Sequence, residues 1–206
     1  MQRRYEAVVM GLSAGGMDAL KGFIPALPAE FSLPIAIAQH NSESSDGFLA
    51  EYLNQLGPLA VKEAEDKEPL CSGRVYIAPA GYHLLIELDR TFSLSVDPRV
   101  NYCCPSIDVL FESAVDAFEE SLIGVVMTGA NRDGSHGLKT IKERGGCAVV
   151  QNPETAETRH MPQAALDATP VDHVVNLEEL APLLVELSAR QNEDDYGSDI
   201  SGRKNT

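Results

Sequence analysis

Short apolar runs alternate with segments of helical periodicity along most of this 206-residue chain. The runs AVVMG, PIAIAQ, LIGVVMT and CAVVQ are continuously apolar, as expected of strands that are covered on both faces. Three further runs, RVYIAP, HLLIEL and TFSLSV, follow one another between residues 73 and 96 with only turn residues between them. The sequence therefore predicts an α/β fold, a doubly wound and mostly parallel sheet with helices on both faces and antiparallel hairpins added at one edge.

The boundaries of the other elements follow from periodicity and from turn residues. The first strand is predicted over residues 5–10, and a helix begins at about Gly16. Asn176, with Glu179 three residues later, is predicted to cap the last helix. The remaining helices are predicted over residues 48–56, 107–118, 135–144 and 161–166.

Length and charge limit what kind of protein this is. We predict one domain over residues 1–190 and a polar, disordered tail over residues 191–206. The formal net charge of −15 disfavours nucleic acid and anionic membrane surfaces as partners, because both would repel the chain. No apolar stretch approaches the roughly 20 residues that span a bilayer, so no membrane insertion and a cytoplasmic location are predicted.

The segment Gly11-Leu12-Ser13-Ala14-Gly15 matches the pattern G-x-S-x-G and lies between a predicted strand and a predicted helix. In that position the glycines allow a sharp turn that exposes the serine hydroxyl beside the free amides of a helix N-terminus. The same turn could instead bind a phosphate group, although Lys21 is the only basic residue nearby in the sequence. Ser13 is therefore a candidate nucleophile.

A serine nucleophile needs a base and a carboxylate that orients the base. His40 directly follows the strand PIAIAQ, and Asp133 lies in the glycine-rich loop after LIGVVMT. Since the carboxyl ends of parallel strands line one crevice, the fold could bring these two side chains to Ser13. His83 and His136 are the rival bases, the first expected to be structural and the second to point away from the site.

The cysteines and histidines give no sign of a metal site, because neither H-E-x-x-H nor a His/Cys pair at ligand spacing occurs. The four cysteines are expected to be reduced thiols, since no C-x-x-C spacing links them. The vicinal pair Cys103-Cys104 is an alternative nucleophile, but the sequence places no base beside it, and inert buried thiols are expected.

Six blocks resemble, in order, the catalytic domain of the chemotaxis protein-glutamate methylesterases, and the resemblance extends from residue 7 to about residue 187. The blocks are GLSAGG, AQHNS, EAEDKEPLCSGRVYIAPAGYHL, PSIDVLFESA, TGANRDGSHGL and QNPETAETRHMPQAAL. The resemblance implies that Ser13 is the nucleophile, His40 the general base and acid, and Asp133 its orienting partner. It also implies that the backbone amides of Ala14 and Ala130 bind the oxyanion.

The implied reaction is hydrolysis of glutamyl methyl esters on chemoreceptor helices, with release of methanol and without a cofactor. Some members of the family also deamidate receptor glutamines. The implied partner is therefore a methylated chemoreceptor or a related protein. A binding or regulatory module that keeps the fold without efficient turnover is the alternative.

The chain departs from the family pattern at several positions. Ala14 replaces a threonine and Ala130 replaces a common methionine, while Cys103 and Cys104 replace basic residues. Losing those cations would weaken recognition of an acidic receptor segment. Members of the family usually carry an N-terminal receiver domain. Only a few residues precede the first predicted strand here, so we expect that regulation comes from a separate protein.

Overall fold

The structure is a computed structural model that describes residues 4–40 and 47–189. The predicted tail over residues 191–206 lies outside the described residues. Within the described ranges, no helix combines the length and the apolar character needed to cross a membrane.

A seven-stranded sheet forms the centre of the molecule, and every pair of neighbouring strands in it is parallel. Its strand order is β3-β4-β2-β1-β7-β8-β9. A separate antiparallel pair consists of β5 (His83–Ile86) and β6 (Phe92–Ser95). The parallel strands are β1 (Ala7–Leu12), β2 (Ile35–Gln39), β3 (Ala60–Glu63), β4 (Arg74–Ile77), β7 (Leu122–Val126), β8 (Cys147–Gln151) and β9 (His173–Val175).

Helices cover both faces of this sheet. Side chains alternate along β1, so that Val8 and Met10 join one apolar cluster while Ala7 and Val9 join the other. The first cluster is completed by α1, α2 and α6, and the second by α3, α4, α5 and the β5–β6 hairpin. The helices are α1 (Gly16–Phe23), α2 (Phe48–Leu53), α3 (Ile107–Phe118), α4 (Ser135–Glu143), α5 (His160–Ala168) and α6 (Leu177–Ala189).

The predicted fold class is confirmed, but three details of the sheet were wrong. The first strand is shifted by two residues relative to the prediction and continues through Leu12. The run RVYIAP is not part of a hairpin: it forms β4, which lies between β3 and β2 with Val75, Tyr76 and Ile77 buried. Strand β3 was not predicted at all, because only Val61 of its four residues is buried and periodicity therefore gives no signal.

The topology places the ends of β1 and β7 at the point where the strand order reverses, which is where open α/β sheets bind their ligands. Ser13 directly follows β1, His40 directly follows β2, and Asp133 lies in the loop between β7 and α4. The register pairs Leu12 with Gln39, so one further residue along each strand brings Ser13 beside His40.

Gly11 has no side chain, and this allows Ile107 of α3 to lie directly against the end of β1. A Cβ atom at Gly11 would lie 2.2 Å from Cγ2 of the fully buried Ile107. We expect Gly11→Ala to lower the free energy of unfolding by about 1–3 kcal/mol, because Ile107 has no space to move into. Urea unfolding followed by circular dichroism measures the change. Gly22→Ala is the control, since a Cβ there meets only Leu177 at 3.5 Å, and unchanged or higher stability is expected. Equal effects of the two substitutions would contradict this account.

Candidate active site

The carboxylate of Asp133 has no exposed surface. Its Oδ2 atom accepts hydrogen bonds from His40 Nε2 at 2.9 Å and from the backbone N–H of Ile107 at 2.7 Å. Its Oδ1 atom accepts three more, from the Asn101 side chain, the Ser106 hydroxyl and the Asp108 backbone N–H. Two of the five donors are free amides at the N-terminus of α3, where the helix dipole favours a negative charge.

These contacts fix the charge of Asp133. Burial alone would raise the pKa of this carboxyl, but hydrogen bonds from His40, Asn101 and Ile107 outweigh it and lower the pKa to about 2. The neighbouring carboxyl of Asp108 behaves in the opposite way. Burial and the nearby charge of Asp133 raise its pKa to about 6, although it accepts a hydrogen bond from the Gly137 amide. Asp133 is therefore held as a carboxylate that can orient a partner.

His40 is that partner, and its two ring nitrogens face different groups. Nε2 lies against Asp133, which leaves Nδ1 for proton transfer. Burial would lower the pKa of His40, but the hydrogen bonds to Asp133 and Cys103 raise it to about 9. An imidazole oriented by a carboxylate at one nitrogen and available at the other can act as a general base.

Ser13 lies on the turn between β1 and α1. Its backbone N–H donates to the Thr128 carbonyl at 2.9 Å, and its carbonyl accepts from the Gln39 side chain at 3.0 Å. Gly15, with φ of +80°, directly precedes α1 in a left-handed conformation that allows the sharp turn. Among the residues that the structure describes, none forms a hydrogen bond with Ser13 Oγ, so the structure does not join Ser13 to His40 as closely as it joins His40 to Asp133.

The family resemblance assigns two backbone amides, those of Ala14 and Ala130, to the oxyanion. Ala14 and Ala130 are both exposed, and neither amide donates a hydrogen bond to any residue in the described ranges. The Thr128 hydroxyl donates to the Ala14 carbonyl at 2.8 Å and accepts from the Thr158 amide at 2.9 Å. The first of these contacts joins the serine turn to the loop after β7, which also carries Ala130.

Cys103 contradicts the expectation that no base lies beside the cysteine pair. Its Sγ atom lies 3.6 Å from His40 Nδ1 and 3.2 Å from the Asn131 side-chain nitrogen, and the residue is partly exposed rather than buried. The sequence missed this contact because 63 residues separate the two side chains, and only the fold brings them together.

The same contact changes what the sequence indicated about metal ligands. One ligand atom each of His40, Cys103 and Asp133 lies within 4.8 Å of the others. Both oxygens of Asp133 are, however, engaged by the hydrogen bonds already described, and one of these joins Asp133 to His40 itself. The cluster therefore fits a hydrogen-bonded network better than a set of three metal ligands, and the absence of a metal stays a prediction.

The rival histidines lie elsewhere. His83 is buried, and its ring nitrogens contact the Pro98 carbonyl and the Ser106 amide, as expected of a structural imidazole. His136 is exposed on α4 and pairs with Glu112 at 2.8 Å. Gly134 precedes α4, and Ser135 Oγ donates to the Arg132 carbonyl.

Sequence reasoning missed the residues that support the site. Three of them contact Asp133 or His40 with their side chains, namely Asn101, Ser106 and Asn131. The Gln39 side chain donates a hydrogen bond to the Ser13 carbonyl. A signal existed only for Gln39, a polar residue at the end of an otherwise apolar buried strand. The other three lie in loops, where polar residues are ordinary.

Comparisons with known proteins agree with one another. The family model described as CheB methylesterase matches residues 8–184. A Leptospira interrogans protein named for protein-glutamate methylesterase and protein-glutamine glutaminase activity is 55% identical over 183 residues, which are 89% of this chain and 95% of that protein. A protein-glutamate methylesterase/protein-glutamine glutaminase of Maricaulis maris is 37% identical over 88% of this chain and 46% of its own length. The crystal structure of the Thermotoga maritima CheB methylesterase catalytic domain superimposes with a TM-score of 0.85 at 32% identity, covering 89% of this chain and 98% of that one.

Proposed function

Because this chain belongs to the CheB methylesterase family, we propose that Ser13, His40 and Asp133 carry out the ester hydrolysis for which its relatives are named. The observation that supports this assignment most is the contact of 2.9 Å between Asp133 and His40 at the strand ends that also present Ser13. The same contact favours an enzyme over a binding module, since an oriented imidazole beside an exposed serine turn serves catalysis. The proposed substrate is a methylated glutamyl side chain of a chemoreceptor helix, and the proposed catalytic domain is residues 1–190 in the cytoplasm.

In the acylation step, Ser13 Oγ attacks the ester carbonyl while His40 Nδ1 takes the hydroxyl proton. The bond between the carbonyl carbon and the methoxy oxygen then breaks, and His40 gives its proton to the leaving methoxide, which departs as methanol. Asp133 holds the imidazole through Nε2 and stabilises its positive charge during the step. The free amides of Ala14 and Ala130 stabilise the negative oxygen of the tetrahedral intermediate.

Deacylation uses the same groups in the same order. A water molecule gives a proton to His40 Nδ1 and attacks the glutamyl ester of Ser13. The intermediate collapses when His40 returns the proton to Ser13 Oγ, which leaves the substrate as a free glutamate. A glutamine side chain could enter the same cycle with ammonia as the leaving group, in line with the second activity in the relatives' names.

Incubation with a methylated chemoreceptor fragment tests this function. We expect labelled methanol to be released from a fragment that carries isotopically labelled glutamyl methyl esters, and ammonia to be released from the unmodified glutamine form. A binding module would retain the fragment without releasing either product. Binding of the fragment without methanol release by the wild-type protein would overturn the proposed function.

The pKa of His40 makes a prediction about pH. Only neutral His40 can accept the proton of Ser13, so kcat/KM should rise with pH through the His40 pKa of about 9. Since the contact with Cys103 contributes to the raised pKa, Cys103→Ala should move this rise to lower pH and increase the rate at neutral pH.

The pH profile of kcat/KM for a small ester checks this prediction, with Cys104→Ala as the neighbouring control. Cys104→Ala should leave the profile where it is. An identical profile for the wild type and Cys103→Ala would show that the thiol has no influence on His40.

A further inference from the structure

The sulfur of Cys103 occupies a place at His40 that the ester reaction also needs. His40 Nε2 is held by Asp133, so Nδ1 is the nitrogen left for any proton exchange. Cys103 Sγ lies 3.6 Å from Nδ1, whereas no described residue forms a hydrogen bond with Ser13 Oγ. In the proposed reaction Ser13 needs this same nitrogen, which Cys103 Sγ contacts together with the Asn131 side-chain nitrogen at 3.4 Å.

Polar groups surround the sulfur of Cys103, which itself contacts the Asn101 carbonyl at 3.4 Å. Asn131 directs its side-chain nitrogen at Sγ from 3.2 Å, and Asn131 Oδ1 accepts a hydrogen bond from the Asp133 amide, which fixes that orientation. The His40 imidazole contacts the sulfur through Nδ1 and can accept the thiol proton there. The Asp133 carboxylate, which contacts Nε2, stabilises the positive charge of the protonated ring. Cys103, His40 and Asp133 thus lie in a row as a thiol, a base and a carboxylate.

Access distinguishes Cys103 from an ordinary core thiol. Cys103 is partly exposed, while Cys147 is buried in β8. Cys104 is also partly exposed, and the sulfur contact described for His40 Nδ1 is with Cys103. The vicinal pair thus supplies one thiol beside the base and a second thiol of similar exposure for comparison.

We propose that Cys103 is a site of oxidation by hydroperoxides, and that its sulfenic acid stops ester hydrolysis by keeping His40 from Ser13. The effect on activity rests on the proposed function, whereas the reactivity of the thiol does not. The substrate class is hydrogen peroxide or a small organic hydroperoxide.

The reaction balances with the groups present and the peroxide. His40 Nδ1 takes the thiol proton, and the thiolate sulfur attacks one peroxide oxygen, so that an S–O bond forms as the O–O bond breaks. The sulfur loses two electrons and the peroxide gains them. The leaving hydroxide, or alkoxide, takes the proton from His40 and departs as water or alcohol. A dithiol reverses the change by forming a mixed disulfide with loss of water and then reducing it.

Chemical trapping tests the thiol without using the esterase reaction. The folded protein is treated with a small excess of hydrogen peroxide and dimedone in the presence of a metal chelator, and the cysteine peptides are followed by mass spectrometry. We expect dimedone on Cys103 well before Cys104 or Cys71. In His40→Gln, which lacks the proton acceptor, labelling of Cys103 should slow by about tenfold or more. Labelling of Cys103 at the rate of Cys71, or at an unchanged rate in His40→Gln, would overturn the proposal.

Ester hydrolysis after the same treatment tests the consequence. The wild type and Cys104→Ala should lose most of their activity and regain it with dithiothreitol, whereas Cys103→Ala should resist. Activity that survives in a wild-type sample with fully oxidised Cys103 would also overturn the proposal. A protein that traps dimedone on Cys103 but hydrolyses no ester under any condition would instead disprove the proposed function.

Discussion

Ser13→Ala is expected to lower kcat for ester hydrolysis by about a millionfold, because the substitution removes the hydroxyl on which the proposed acyl-enzyme forms. The folded structure should be unaffected, since Ser13 Oγ has no hydrogen-bond partner in the described part of the chain and only the backbone of Ser13 holds the turn. Steady-state hydrolysis of a small activated ester measures the loss, and thermal unfolding checks the fold.

Ser135→Ala is a matched control for this substitution. Ser135 also lies at the start of a helix after a strand of the main sheet, but its hydroxyl donates to the Arg132 carbonyl and plays no part in the proposed chemistry. We expect a loss of activity of less than about tenfold. A Ser13→Ala protein that keeps more than a few per cent of the wild-type rate would remove Ser13 as the nucleophile.

Asp133→Asn should have the second-largest effect, a loss of about 10⁴-fold in kcat, because an amide can no longer stabilise the imidazolium or fix its tautomer. The substitution should also lower the free energy of unfolding by about 3 kcal/mol, since the backbone and side-chain donors around Asp133 would face a neutral amide. Ester kinetics and urea unfolding measure the two losses. Asp108→Asn is the control and should leave most of the rate, because Asp108 makes no contact with His40.

The stability of Asp133→Asn should also depend differently on pH. The folded pKa of Asp133, about 2, lies below its ordinary value of 3.8, so its contribution to stability is present above about pH 4 and is lost as pH falls towards 2. The pKa of His40 is raised, so the contribution of that partner is full below pH 6.5 and is lost as pH rises through about 9. The wild type should therefore lose its advantage over the variant at both extremes. A constant difference across this range would contradict the ion pair.

Local patterns were sufficient for most of the fold. Apolar runs identified β1, β2, β7 and β8, because an interior strand of a parallel sheet is buried on both faces. They gave no signal for β3, which is short and half polar. They identified β4 as a strand but not its place, because its position beside β2 depends on a crossover rather than on sequence adjacency. Pairing in a parallel sheet is not a local property, and a single sequence carries little information about it.

Contacts between distant parts of the chain were also unpredictable in the candidate site. Ser13, His40 and Asp133 could be singled out because each follows a strand that the sequence reveals. The network around them could not, since Asn101 and Cys103 reach Asp133 and His40 from an irregular segment before α3 whose path has no periodicity. The replacement of basic residues by cysteines was visible in the sequence, but the contact of Cys103 with the base was not.

Methanol release from a methylated chemoreceptor fragment, compared between the wild type and Ser13→Ala at equal concentration, tests the central claim most directly. The substrate is the one proposed, and the product counts ester bonds broken rather than binding. The account predicts steady release by the wild type and release by Ser13→Ala that equals the sample without protein. Release by Ser13→Ala at more than a few per cent of the wild-type rate would contradict it.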